Sequence, residues 1–344
     1  MNVAVVTSSP PNVEGGHLVI ARELVGALRE AGHDPHLVVT PDYGFGRQAA
    51  AYAATWRTDV SHVNGRAIDR VISLRYPSYA VRHPHHVCWL NHTMREYYDL
   101  WPRFSAELGS LNRIKEGVRR SLIHTADKYL LTRNVTRLFV QSRTIQDRLS
   151  MWPSLRSEVL YPPAPKRNYR AEAYGPPFLF VSRLNRLKRA SLLIRALATR
   201  DGVGIPVVIG GDGEERPALE LLASDLGVAN RVTFAGRLTD PQLIERLATC
   251  RAVVFPPFQE DYGFVTVEGF AARRAVITCR DSGGPAELVQ DGVNGFVCDP
   301  DPESLARALR ALADNDSLVA RFGEAAFATG ARLNWKDTIA KLVE

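Results

Sequence analysis

The sequence predicts an α/β protein made of two similar halves, and three observations predict it. Short apolar runs alternate with helix-length amphipathic stretches, the pattern of a parallel sheet whose strands are joined by helices. The alternation stops at Tyr161-Pro162-Pro163-Ala164-Pro165, a stiff break suited to a linker, and then restarts. At 344 residues the chain is about twice the usual single-domain size. With 45% hydrophobic and 23% charged residues, disorder, collagen and coiled coil are excluded. No uncharged apolar run approaches the roughly 20 residues of a membrane span.

The elements follow in order. Met1-Asn2-Val3-Ala4-Val5-Val6-Thr7 lacks a charged leader region, and its apolar run is too short for a signal peptide, so it reads as a first strand. Further strands are expected at 36–40, 71–74, 87–90, 136–141 and 158–161, with helices at 16–31, 112–132 and 142–150. Residues 41–70, with Gly44, Gly46 and Gly65 among polar residues, give no clear period. After the break, strands are expected at 178–182, 206–210, 231–235, 251–255, 275–279 and 295–298. Helices are expected at 188–199, 214–226, 240–249, 264–273, 284–290, 301–314 and 317–329, and a last short one from Asn334. The expected domains are 1–163, 164–330 and a terminal helix, 331–344, packing back towards the first. Two such halves imply a cleft, and ligands of such sheets bind at the carboxyl ends of strands.

The net charge of +6 is uneven. The first 165 residues hold 20 Lys and Arg against 14 Asp and Glu, the rest 23 against 23. The excess concentrates between Arg113 and Arg148. It suggests an anionic partner, either a phosphorylated acceptor or the anionic inner face of a membrane; the alternative is a solvated basic face. Nucleic acid is not expected, because no recognisable nucleic-acid module is visible. Cys88, Cys250, Cys279 and Cys298 have neither CxxC spacing nor the look of a disulfide framework, so the cytoplasm is the expected location. Without a secretory signal, the sequons at Asn91 and Asn134 are chance matches.

Phosphate-handling groups cluster in the second half. The strand at 178–181 runs into Ser182-Arg183-Leu184-Asn185-Arg186-Leu187-Lys188-Arg189, which places Arg183 and Lys188 at a strand-to-helix turn. Two cations there can neutralise a diphosphate, Arg as a fork and Lys as a point charge; the alternative is a basic surface turn. Gly210-Gly211-Asp212-Gly213 is not GxGxxG, and its acids repel phosphate. It reads as the lining of a nucleotide pocket or as a plain tight turn. The loop Phe258-Gln259-Glu260-Asp261-Tyr262-Gly263 leads into a helix bearing Glu268 in its first turns. The amides of Phe264, Val265 and Thr266 are expected free for an anion. Glu260 and Glu268 can reach opposite ends of one extended ligand; the alternatives are a helix-entry acid and a solvated helix position.

These residues resemble family 4 retaining glycosyltransferases of GT-B fold. The resemblance rests on Glu260 and Glu268 in Glu-x7-Glu spacing, Arg183 with Lys188, Gly236-Arg237, and Asp281-Ser282-Gly283-Gly284-Pro285-Ala286-Glu287 followed by Asp291-Gly292-Val293-Asn294-Gly295. It covers residues 175–310 and is weaker before them. There Gly15-Gly16 looks like the family's glycine loop near the donor phosphates, and Asn91-His92 like its active-site histidine position.

The resemblance implies two Rossmann-like domains facing across a cleft, and transfer of a sugar from a nucleoside-diphosphate sugar, a UDP- or GDP-sugar first, to an acceptor hydroxyl. The acceptor would be a saccharide, a lipid-linked compound or a small molecule. It implies that Arg183 and Lys188 bind the diphosphate and that Glu268 binds the ribose. Glu260 would contact the transferred sugar, and the 264–266 amides phosphate or sugar. Arg237 and Leu238 would lie beside the base, and His92 would sit near the sugar's C6 hydroxyl and the reaction centre; Gly211 in its turn and Gly263 at the helix start complete the expected donor site. No metal and no further cofactor are implied, since two cations and a helix end take the metal's electrostatic role. Val265-Thr266 replaces a frequent proline, which puts the sugar choice in doubt. Same-face attack, with a leaving phosphate oxygen taking the acceptor's proton, needs no separate base. The rivals are a nucleotide-sugar epimerase and a silent subunit of the same fold; missing GxGxxG argues against an NAD oxidoreductase.

Overall fold

The computed structural model describes residues 1–10 and 16–344. The chain divides into two units, Met1–Pro162 with Trp335–Glu344, and Pro163–Asn334.

The first unit holds a six-stranded parallel sheet. Its elements begin with β1 (Asn2–Ser9), α1 (Gly16–Glu30), β2 (Asp34–Pro41) and α2 (Gln48–Arg57). A small hairpin follows, β3 (His62–Val63) and β4 (Arg66–Ala67), then β5 (Arg70–Arg75) and β6 (His86–His92). Next come α3 (Trp101–Ala106), α4 (Ser110–Arg133), β7 (Arg137–Val140), α5 (Arg143–Leu149) and β8 (Glu158–Val159). The sheet order is β2-β1-β5-β6-β7-β8. Val3 to Val6 are wholly buried because β1 is an inner strand covered on both faces, which is why it reads as an unbroken apolar run. On the edge strand β2, burial is intermittent.

The second unit restarts the same architecture. It contains β9 (Phe178–Val181), α6 (Ala190–Leu197), β10 (Val207–Gly210), α7 (Arg216–Asp225), β11 (Val232–Gly236) and α8 (Asp240–Thr249). β12 (Val253–Val254), α9 (Phe264–Ala271), β13 (Val276–Cys279), α10 (Gly284–Leu288) and β14 (Gly295–Cys298) follow. The unit closes with α11 (Pro302–Ala313) and α12 (Asp316–Ala331). Helix starts carry their own chemistry. Asp301 and Asn315 cap α11 and α12 through their side chains, and Thr239 with Gln242 makes a reciprocal capping box on α8.

The terminal helix α13 (Trp335–Val343) packs within the first unit. Trp335 meets Trp89 edge-on at 6.1 Å, Lys341 pairs with Glu158, and Ile339 and Leu342 are buried. Trp89, Tyr97 and Tyr98 are buried in the core of the first unit. Among the described residues no helix is long and apolar enough to cross a membrane.

Candidate active site

The second sheet runs β11-β10-β9-β12-β13-β14, so β9 lies between β10 and β12 and the order reverses there. Ligand crevices form at such reversals, beyond the carboxyl ends of the strands. The predicted residues of this half follow those ends: Arg183 and Lys188 after β9, Gly211 after β10, Arg237 and Leu238 after β11, Glu260 and Gly263 after β12.

Loops stitched by backbone bonds place Lys188 beside Glu260. Asn185 accepts hydrogen bonds from the amides of Leu187 and Lys188 at 3.1 and 3.2 Å, starting a 3-10 turn. Phe258 donates its amide to the Leu187 carbonyl at 2.7 Å, and Glu260 donates its own to Ser282 at 2.8 Å. Lys188 Nζ then pairs with Glu260 Oε2 and lies 5.8 Å from the centre of the Phe255 ring. Both side chains are half-buried, which strengthens the pair relative to a surface one. Arg183, five residues before Lys188 on the same connection after β9, is exposed.

Arg189 clamps this arrangement. Its φ of 53° lies in the left-handed region, a conformation costing roughly 1–2 kcal/mol for a non-glycine residue. Its guanidinium grips Asp281 at 2.7 and 2.8 Å and donates to the carbonyls of Pro256 and Pro257 at 2.7 and 2.6 Å. Arg189 therefore ties the Glu260 loop to the Asp281 loop. Sequence reasoning missed it, although it closes the basic run from Arg183. At Gly283, φ is +71° and a Cβ would stand 2.5 Å from the Glu260 carbonyl oxygen, so the Asp281 loop can approach only with glycine there.

Glu268 is buried, not solvated. Arg167 Nη1 pairs with its Oε1, and Tyr169 donates to the same oxygen at 3.3 Å, so Oε2 takes no hydrogen bond from the described residues. Burial pushes the carboxyl up, while Arg167 and Tyr169 pull it back. Arg167 Nη2 also holds Asp240 at 3.0 Å. Nothing in the sequence signals this role, because Arg167 and Glu268 are 101 residues apart.

The remaining expectations divide. The Thr266 amide donates to the Gly263 carbonyl at 3.0 Å, which corrects the expected set of three free amides; Phe264 and Val265 remain at the start of α9. Gly263 does open that helix, with φ +81°. At Gly211 a Cβ would stand 1.8 Å from the Ser182 carbonyl oxygen, so glycine there lets the turns after β9 and β10 touch. Leu238 packs over Gly210, and Arg237 is exposed. His92 ends β6 and Gly16 opens α1, both in the first unit; Gly15 lies outside the described residues.

Residues 167–329 match the family described as "Glycosyl transferases group 1". A D-inositol 3-phosphate glycosyltransferase of Streptomyces griseus is 35% identical over 174 residues, 47% of this chain and 36% of that protein. The match thus spans little more than a third of that relative's length. Sucrose-phosphate synthase from Thermosynechococcus elongatus superposes with a TM-score of 0.80 at 16% identity, covering 99% of this chain and 98% of that one. Anabaena Alr3699/HepE, solved in complex with UDP and glucose, superposes with a TM-score of 0.70 at 18% identity, covering 99% of each chain.

Proposed function

We propose that this chain, whose residues 167–329 belong to the group 1 glycosyltransferases and whose two Rossmann-like units make the GT-B fold, transfers a sugar from a nucleoside-diphosphate sugar to an acceptor hydroxyl. The observation that carries the reading is the Lys188–Glu260 pair at the sheet's reversal, with exposed Arg183 on the same connection after β9. The UDP in the HepE complex supports UDP as the first donor to try, and GDP is the second.

The chemistry follows from these charges. A diphosphate carries more charge than one carboxylate and draws Lys188 away from Glu260. Arg183 adds a two-pronged donor for the same phosphates. Glu260, released but still ionised, accepts hydrogen bonds from the sugar's hydroxyls. The Phe264 and Val265 amides face the same anion, where the helix end favours negative charge. Glu268 meets the ribose hydroxyls with Oε2, the oxygen that Arg167 and Tyr169 leave open. Leu238 and Arg237 flank the base.

As the glycosidic bond breaks, negative charge grows on the departing diphosphate, and Arg183 and Lys188 lower the barrier by meeting it. On this reading the two cations and the helix end take the electrostatic role that a metal ion would otherwise fill. The retaining course, in which the leaving phosphate takes the acceptor's proton, needs no further base; His92 is assigned beside the sugar. The acceptor is a saccharide, a lipid-linked compound or a small molecule, in polysaccharide, glycolipid or glycoconjugate synthesis.

The test is transfer by Glu260→Ala. The variant should unfold at the wild-type temperature and lose at least about a hundredfold in rate, as when a group stabilising the transition state is deleted. Near-wild-type transfer would sink the assignment.

A further inference from the structure

Helix α4 is 24 residues long and buries Glu116, Ile123, Asp127, Leu130 and Leu131. Its opposite face is apolar but uncovered. Leu111, Ile114, Val118, Leu122 and Tyr129 are 83%, 67%, 59%, 66% and 57% exposed. Spacings of three, four, four and seven residues put all five on one stripe of a helix with about 3.6 residues per turn. Single exposed apolar residues are ordinary, but a continuous stripe marks an interaction surface. Beside it α2 contributes Tyr52 and Trp56, and the two helices enclose a groove of about 720 Å³.

Charge says what covers this face. The two acids of α4 point inward: Glu116 accepts from Tyr97 at 2.7 Å, and Asp127 accepts from Tyr98 at 2.5 Å and from Tyr52 and Tyr79. The exposed charged positions of α4 are therefore the cations Arg113, Lys115, Lys128 and Arg133, with no exposed acid. Lys115 stands at the groove itself, and so does Arg119, whose guanidinium pairs with Glu116 at 2.6 Å. A second copy would bring the same cations against these, which opposes self-docking. Apolar insertion together with cation–headgroup attraction is the pair of signals that holds a protein on a bilayer.

We infer that this α2–α4 face of the first unit binds an anionic phospholipid surface, with one hydrocarbon chain in the groove and the headgroup phosphate on Lys115. The inference goes beyond the transferase reading and does not rest on it.

The test is flotation of the full chain with phosphatidylcholine vesicles with and without phosphatidylglycerol. Binding should require phosphatidylglycerol and weaken with salt. Leu122→Glu should weaken it more than about tenfold. Lys115→Ala should weaken it about fivefold, one cation's share. Thermal unfolding reports whether each variant is folded, and Val118→Ser is the milder substitution on the same stripe. Vesicles with brominated chains should quench a tryptophan signal that Trp56→Phe removes. Unchanged flotation by folded Leu122→Glu or Val118→Ser overturns the inference. So does equal binding to neutral vesicles, no binding at all, or a self-association that Leu122→Glu abolishes. UDP-induced thermal shifts, read on the same samples, keep this outcome separate from that of the donor site.

Discussion

Glu260 and Glu268 stand eight residues apart, one on a loop and one on a helix, and their surroundings differ. Glu260 is half-buried on a loop and shares its charge with Lys188. Glu268 is buried on a helix and depends on Arg167. Their spacing was legible because it reflects one local loop-to-helix geometry. Arg167 was not, because its partner comes from a distant segment, and neither was the Thr266 amide, spent on the first turn. Arg167→Met tests the positioning role. Removing the cation leaves only Tyr169 to oppose burial, so the Glu268 carboxyl rises further and holds its proton to higher pH. A protonated carboxyl is a poorer acceptor for ribose hydroxyls. UDP should bind the variant about tenfold more weakly at neutral pH, the order expected for a lost hydrogen bond to a charged group. The pH below which affinity falls should move upward. A pH profile parallel to that of wild type would assign Arg167 to packing alone.

At the scale of elements, the strands and long helices were readable and the segment 41–70 was not. Its helix α2 buries Gln48, Ala51 and Thr55, so polar residues interrupt the apolar period that sequence reading relies on. The strands of the β3–β4 hairpin have two residues each, too few for alternation to show. Helix α4 was readable in extent, but its anchor was not. Asp127 is buried among three tyrosine hydroxyls, and burial pushes its carboxyl up to about 6 while those hydroxyls pull the other way. A raised carboxyl makes the folded chain keep a proton that the unfolded chain releases. The Asp127 contribution to stability is therefore present below about pH 4 and is lost as pH climbs to about 6. The slope reaches at most about 1.4 kcal/mol per pH unit. Asp127→Asn cannot titrate, so the wild-type minus variant difference in unfolding free energy should shrink across that window. Denaturant melts at several pH values read it directly, and a constant difference would show that Asp127 does not titrate there.

For the whole molecule, the proline run falls where the two units meet in sequence, at Pro162 and Pro163. The basic excess belongs to the first half of the chain, and Arg183 and Lys188, the cations proposed for the diphosphate, to the second. The proposed lipid surface and the proposed nucleotide site can therefore be tested with different substitutions. The central claim is that Arg183 and Lys188 hold a nucleoside diphosphate without a metal. Calorimetric titration of UDP and GDP into wild type and Lys188→Met, with a chelator present, tests it most directly. One of the two nucleotides should bind wild type in the chelator, and Lys188→Met should weaken it at least about tenfold, as expected for a lost charge-assisted contact. Binding of neither nucleotide, binding only when magnesium replaces the chelator, or wild-type affinity in the variant would contradict the claim.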